Sequence, residues 1–174
     1  MKDWKNISFL GELTDKPIRK TVAFLMLIVF NTNIFSTVTD PVGINNARMT
    51  RTTTGIEQLD IATPNANGTS YNSLRELQVS EQGLIINNNP NVVADTEIAG
   101  LIVRNRNLDN GIAANLIITE VTGKNRTNIN GYVEIAGKRA DLVMANRNGI
   151  TVNGGGFLNA DRVTLTTGNL YKEK

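Results

Sequence analysis

A chain of 174 residues with 40% hydrophobic, 20% charged and 5% aromatic residues can bury the core of one domain, built from Ile, Val, Leu and Ala. It has no histidine and no cysteine, which excludes disulfide frameworks, thiolate metal sites and every nucleophile that needs an imidazole base. The net charge of +2 belongs to the N-terminus: residues 1–39 hold five of the 18 Lys and Arg and three of the 16 acids, leaving 13 of each, so no nucleic-acid-binding stripe is expected.

Lys16, Arg19 and Lys20 stand just before the ten-residue uncharged run TVAFLMLIVF (21–30). A basic segment followed by an apolar run of roughly 7–15 residues describes a secretory signal peptide, and such a run is too short to span a bilayer. The alternative is a buried core helix. The small-x-small triplet Thr37-Val38-Thr39 sets the expected cleavage, giving a signal peptide over 1–39, with a long region ahead of its apolar run, and a mature part over 40–174. The lack of cysteine suits export to an oxidising compartment.

Beyond residue 40 the chain reads as short strands divided by Asn- and Gly-rich turns. The candidates are 55–62, 73–79, 83–87, 97–104, 113–121, 131–137, 140–145, 149–152 and 162–167. Only SLRELQVSEQ (73–82) could pass for a helix, and Val79 and Gly83 argue against it. Short strands with frequent turn signals imply an all-β sandwich, barrel or solenoid. The runs LIVR, NLIIT and DLVMA hold consecutive aliphatics without clean alternation, which means burial on both faces or a bent strand. A β-helix accommodates that pattern, since each rung buries a stripe against its neighbours.

Asparagine is over-used, with 24 residues, while proline is scarce at four. Asn-Arg-Asn occurs twice after an apolar run: Asn105-Arg106-Asn107-Leu108 and Asn146-Arg147-Asn148-Gly149. A type I turn favours Asn first and Gly fourth. Asn146 is therefore expected to cap its turn through its side chain, and Gly149 to leave it without a Cβ clash. Corners of a β-helix stack, so like chemistry should recur at them. The NNNPN run (87–91) reads as an Asn corner, with a contact loop as the alternative.

The stretch VEIAGKRADLVMANRNGITVNGGGFLNADRVTLTTG (133–168) resembles the two-partner secretion domain of filamentous-haemagglutinin-type exoproteins. Segments 67–89, 100–108 and 114–137 match that family in order, so the resemblance covers nearly all of the mature part. The family carries Asn-Pro-Asn-Leu and Asn-Pro-Asn-Gly motifs, which here correspond to Asn105–Leu108 and Asn146–Gly149 with Arg106 and Arg147 in place of proline. The resemblance implies a right-handed parallel β-helix with an N-terminal cap and no enzymatic activity. It also implies a partner outer-membrane barrel that recognises the domain through periplasmic POTRA domains, so that the exoprotein crosses the outer membrane and folds outside. The two motifs are the residues expected to carry that recognition. The chain stops at GNLYKEK, where family domains continue, so a C-terminally truncated domain is expected.

Two other readings compete with this one. A free-standing secreted adhesin would meet a host cell surface. A β-helical polysaccharide lyase would need gathered carboxylates, whereas Asp60, Glu76, Glu81, Asp95, Glu97, Asp109, Glu120, Glu134, Asp141 and Asp161 are scattered. No cofactor, metal or small-molecule substrate is expected, and the domain is expected to be a monomer. Asp109 and Glu120 are expected to be solvated and replaceable.

Overall fold

The computed structural model describes residues 37–39, 46–168 and 170. The apolar run and basic region of the expected signal peptide lie outside the described residues.

Three parallel sheets wind in one order along the chain. The first sheet holds β3 (Glu57–Asp60), β6 (Leu84–Asn88), β11 (Tyr132–Gly137) and β14 (Gly156–Leu158). The second holds β4 (Thr69–Glu76), β9 (Leu116–Val121), β12 (Ala140–Asn146) and β15 (Ala160–Thr166). The third holds β5 (Gln78–Val79), β10 (Thr127–Ile129) and β13 (Ile150–Val152). Neighbouring strands in each are parallel and one coil apart, which is the arrangement of a parallel β-helix. Among the described residues there are three full coils and the first two strands of a fourth.

At the N-terminal end, β2 (Arg48–Arg51) pairs antiparallel with β3, and β1 (Val38–Thr39) antiparallel with β4. These two strands cover the first coil. Thr37 is fully buried; its N–H donates to the Glu57 carboxylate at 3.2 Å and its hydroxyl to the Gln78 carbonyl at 2.8 Å. Residues 37–39, read from the sequence as the end of the leader, are thus built into the fold.

Inside the coil, like residues stack in columns. Leu59, Ile86 and Ile135 lie in register across β3, β6 and β11, and all three are fully buried. Ile117 and Leu142 do the same across β9 and β12. Burying a Leu or Ile side chain contributes roughly 1.5–3 kcal/mol. The columns therefore explain how a chain so poor in aromatics holds a core.

The consecutive aliphatics have a separate cause. All five residues of β6 are buried, although alternate side chains must point out of the coil. The outward ones, such as Ile85, are covered by an excursion between β6 and β9. It contains the antiparallel pair β7 (Val93–Ala94) and β8 (Ile102–Val103), and its Ala99 and Ile102 pack with Ile85 and Ala136 in a second apolar cluster. The buried Glu134 carboxylate receives the Glu97 and Ile98 N–H groups at 2.8 and 3.0 Å, which fastens the excursion down.

This overturns one strand expectation. The apolar segment 97–104 is mainly a turn that lays Ile98, Ala99 and Ile102 over the first sheet, with only Ile102–Val103 as strand. The SLRELQ segment is strand on both sides of Leu77, as expected: Ser73 and Leu74 pair with β9, Glu76 with β1 and Gln78 with β10. Missed were β1, read as the end of the leader, and β2, β7, β10 and β14, which are too short to stand out in the sequence.

Candidate functional site

Asn105 and Asn146 are both buried, while the arginines after them are exposed. In each motif the fourth residue's N–H returns to the first residue's carbonyl: Leu108 to Asn105 at 3.0 Å and Gly149 to Asn146 at 2.9 Å. In each, the first side-chain Oδ1 accepts the N–H two residues on, from Asn107 and from Asn148, both at 2.9 Å. That double closure is an Asx-capped turn, and it comes from the Asn-x-Asn spacing itself.

The amide nitrogens reach further. Asn105 Nδ2 donates to the carbonyls of Ile61 and Asn87, each at 2.9 Å, so it binds two coils together. Asn146 Nδ2 donates to the Asn125 carbonyl at 2.9 Å and the Thr127 hydroxyl at 2.8 Å. Asn107 Nδ2 donates to the carbonyls of Asn46 and Ile61 at 2.8 and 2.9 Å, and Asn148 Nδ2 to the Gly123 carbonyl at 2.9 Å.

The exits differ. Leu108 ends a short 3-10 turn (Arg106–Leu108) and is fully buried, whereas Gly149 leaves at φ +105. Any side chain at 149 would be strained there.

The two motifs do not stack. Asn105 lies at the corner from the first sheet to the second, and Asn146 at the corner from the second to the third. The expectation of stacked like corners fails for this pair, because the excursion puts Asn105 where the coil has its longest connection. The first corner is occupied in successive coils by Asn88, Gly137 and Asn159. Gly137 has φ +83, and a Cβ on it would come within 2.7 Å of Asn89 Cα. The NNNPN run is a corner: Asn87, Asn88 and Asn89 are fully buried, and Asn88 exchanges hydrogen bonds with Ala114 at 2.8 and 3.0 Å. A run of Asn in place of one was the available sequence signal for it.

Carboxylates remain dispersed. Among the described residues no group of three His, Cys, Asp or Glu is placed to hold a metal ion. Glu120 is not simply solvated: it accepts the Tyr71 hydroxyl and, at 3.3 Å, the Leu170 N–H. Burial, then the Glu120 partner, pushes the Tyr71 phenol above its ordinary range. The expectation that Glu120 is solvated is therefore corrected, while Asp109 is an exposed residue 3.6 Å from Arg104.

The family model of the TPS secretion domain matches residues 35–173, all but the N-terminal 34 residues and the last one. This chain belongs to the TPS secretion-domain family. A crystal structure of the filamentous hemagglutinin secretion domain superposes with a TM-score of 0.71 at 32% identity, covering 80% of this chain and 44% of that one. The chain is 47% identical over 123 residues to the 16S rRNA endonuclease CdiA of Enterobacter cloacae subsp. cloacae, covering 71% of this chain. It is 45% identical over 124 residues to a tRNA nuclease CdiA of Escherichia coli O6:K15:H31, and 42% identical over 127 residues to the tRNA nuclease CdiA-2 of Burkholderia pseudomallei. It spans 4% of the length of each of these curated relatives. A TPS domain serves the export of a large exoprotein across the outer membrane, to the cell surface or beyond, with a partner outer-membrane transporter.

Proposed function

We propose that this TPS domain is recognised, as a monomer, by the periplasmic POTRA domains of its partner barrel, and that the Asn105–Leu108 and Asn146–Gly149 turns are what they read. The supporting observation is the division of labour within each motif. The Oδ1 cap and the return to the first carbonyl are local, spanning two and three residues, whereas Nδ2 bonds join neighbouring coils. Local Asx turns form in an unassembled chain. A transporter can therefore meet the motifs as turns, with Arg106 and Arg147 outward, before the β-helix exists. The long-range bonds then close outside the cell.

Asn-to-Asp changes separate the two roles, because Asp keeps the Oδ1 cap and loses the Nδ2 donor. In a pull-down of the denatured and diluted chain on purified POTRA domains, N105D/N146D should bind like the parent and N105A/N146A should not. Equal binding of the Ala variant would refute the reading. We place signal cleavage upstream of Thr37, since β1 is part of the folded unit; N-terminal sequencing of exported protein that begins at Asp40 would disprove it. The nuclease activity named for the relatives belongs to proteins of which this chain spans 4%, and it is not proposed for this domain.

A further inference from the structure

A groove with an unusual charge lies on the outer face of the first sheet. In the β2–β3 pair, Arg48 stands opposite Asp60 and Thr50 opposite Gln58. The alternate residues Met49 and Leu59 pack on the core, so Arg48, Thr50, Gln58 and Asp60 face outward. Residues 101–106 form the facing wall, tied down by the Asn87 amide to the Val103 carbonyl at 3.2 Å. The space between is about 320 Å³.

Arg48, Arg104 and Arg106 line it against one lining carboxylate, Asp60; Arg51 also lines it, but its guanidinium turns to the Gly55 carbonyl at 3.1 Å and to Glu57. The Asp60 carboxylate already accepts from the Gln58 and Asn87 amides, both at 2.8 Å on the same oxygen. Arg51 and Arg104 have carboxylates at longer range, Glu57 at 3.5 Å and Asp109 at 3.6 Å. The three groove arginines have Asp60 and, beside Arg104, Asp109 as nearby carboxylates, so positive charge is in excess there and an anion in the groove complements it. Guanidinium forks match carboxylate, phosphate and sulfate oxygens pairwise.

We propose that this groove binds the acidic groups of an extracellular anionic polysaccharide. The rest of the lining favours a sugar over an acidic peptide. Thr53 lies in the lining beside Thr50 and Thr52, whose hydroxyls are engaged by Gln58, Thr54 and Ile56, and Leu101 and Val103, 65% and 68% exposed, offer an aliphatic wall for the C–H face of a ring. Export places the folded domain where such polymers are found. The proposal goes beyond transporter recognition, which concerns the chain before it folds.

The test is calorimetric titration of the full chain with polygalacturonate, dextran sulfate, neutral dextran and inorganic phosphate. Binding to one or both charged polymers and not to neutral dextran is expected, and which one binds identifies carboxylate or sulfate as the partner group. R48Q/R104Q should weaken it about tenfold, the scale of losing charged hydrogen bonds, while R48K/R104K keeps the charge and loses less. D60N removes the lining carboxylate and should tighten binding. R75Q/R162Q makes the same charge change at exposed arginines outside the groove and should leave binding unaltered. Circular dichroism of each variant checks that the strand signal is kept. Equal weakening by R75Q/R162Q, binding of neutral dextran, or phosphate matching the polymers per charge would each overturn the proposal.

Discussion

Asn105 and Asn146 close their corners with the same bond: each side-chain Oδ1 takes the N–H two residues on, at 2.9 Å, although they stand at different corners of the coil. Each then spends its amide nitrogen on two acceptors, of which at least one lies in the preceding coil. Asn105→Ala or Asn146→Ala leaves buried partners unsatisfied and should cost about 2–3 kcal/mol each. Urea denaturation followed by circular dichroism measures this, and a loss below about 0.5 kcal/mol would show that water replaces the amide.

Proline belongs at the second position of these turns. Asn105 has φ −71 and ψ 117, the extended conformation that a residue before proline requires, and Arg106 opens the 3-10 turn. Asn146 ends a strand and precedes exposed Arg147. Arg106→Pro and Arg147→Pro should each stabilise the domain by roughly 0.4–1 kcal/mol through the unfolded state. A lowered melting temperature for either would mean that its N–H or φ is committed elsewhere.

Asp60 gives the domain a pH dependence. Burial holds its carboxyl above the usual carboxylate range, against the opposing pull of the Asn87 and Gln58 amides and the charges of Arg48 and Arg106. A folded-state value above the unfolded one contributes stability that is complete below the unfolded value, about 3.9, and is lost as pH rises through the folded value. Asp60→Asn cannot ionise and keeps an acceptor for both amides. Its stability relative to the parent should therefore rise between acid and neutral pH, as read by denaturant titration at both. A difference independent of pH would contradict the assignment.

Tyr71 and Glu120 join the second sheet to the last described residue. Tyr71→Phe removes the hydroxyl donor and should cost about 1–2 kcal/mol, as a hydrogen bond to a charged group does. Glu120→Ala also frees the Leu170 N–H and should lower the melting temperature more than Glu81→Ala at an exposed turn. Equal melting temperatures for the two Ala variants would show the pair to be without structural weight.

The corners and the all-β character were legible in the sequence because they rest on local chemistry. An Asn side chain reaches the N–H two residues on whatever the rest of the chain does, and Gly149 at φ +105 is demanded by its own turn. The resemblance to secretion domains rested on the stretch 133–168 and the segments before it, with both Asn-Arg-Asn turns among them.

Tertiary structure alone decided what lies far apart in sequence. An apolar run shows that it is buried but not by what: Ile85 is covered by Ala99 and Ile102, and the run 97–104 that looked like a strand is mostly that cover. Glu120 looked solvated until Tyr71 was brought to it from the preceding coil, 49 residues earlier. The groove arginines come from two separate stretches, Arg48 from β2 and Arg104 and Arg106 from the end of the excursion, each ordinary by itself. Side-chain caps and φ preferences act within a few residues and are written in order along the chain. Burial, like-charge crowding and long-range pairing depend on which coil lands on which, and only the wound β-helix sets that.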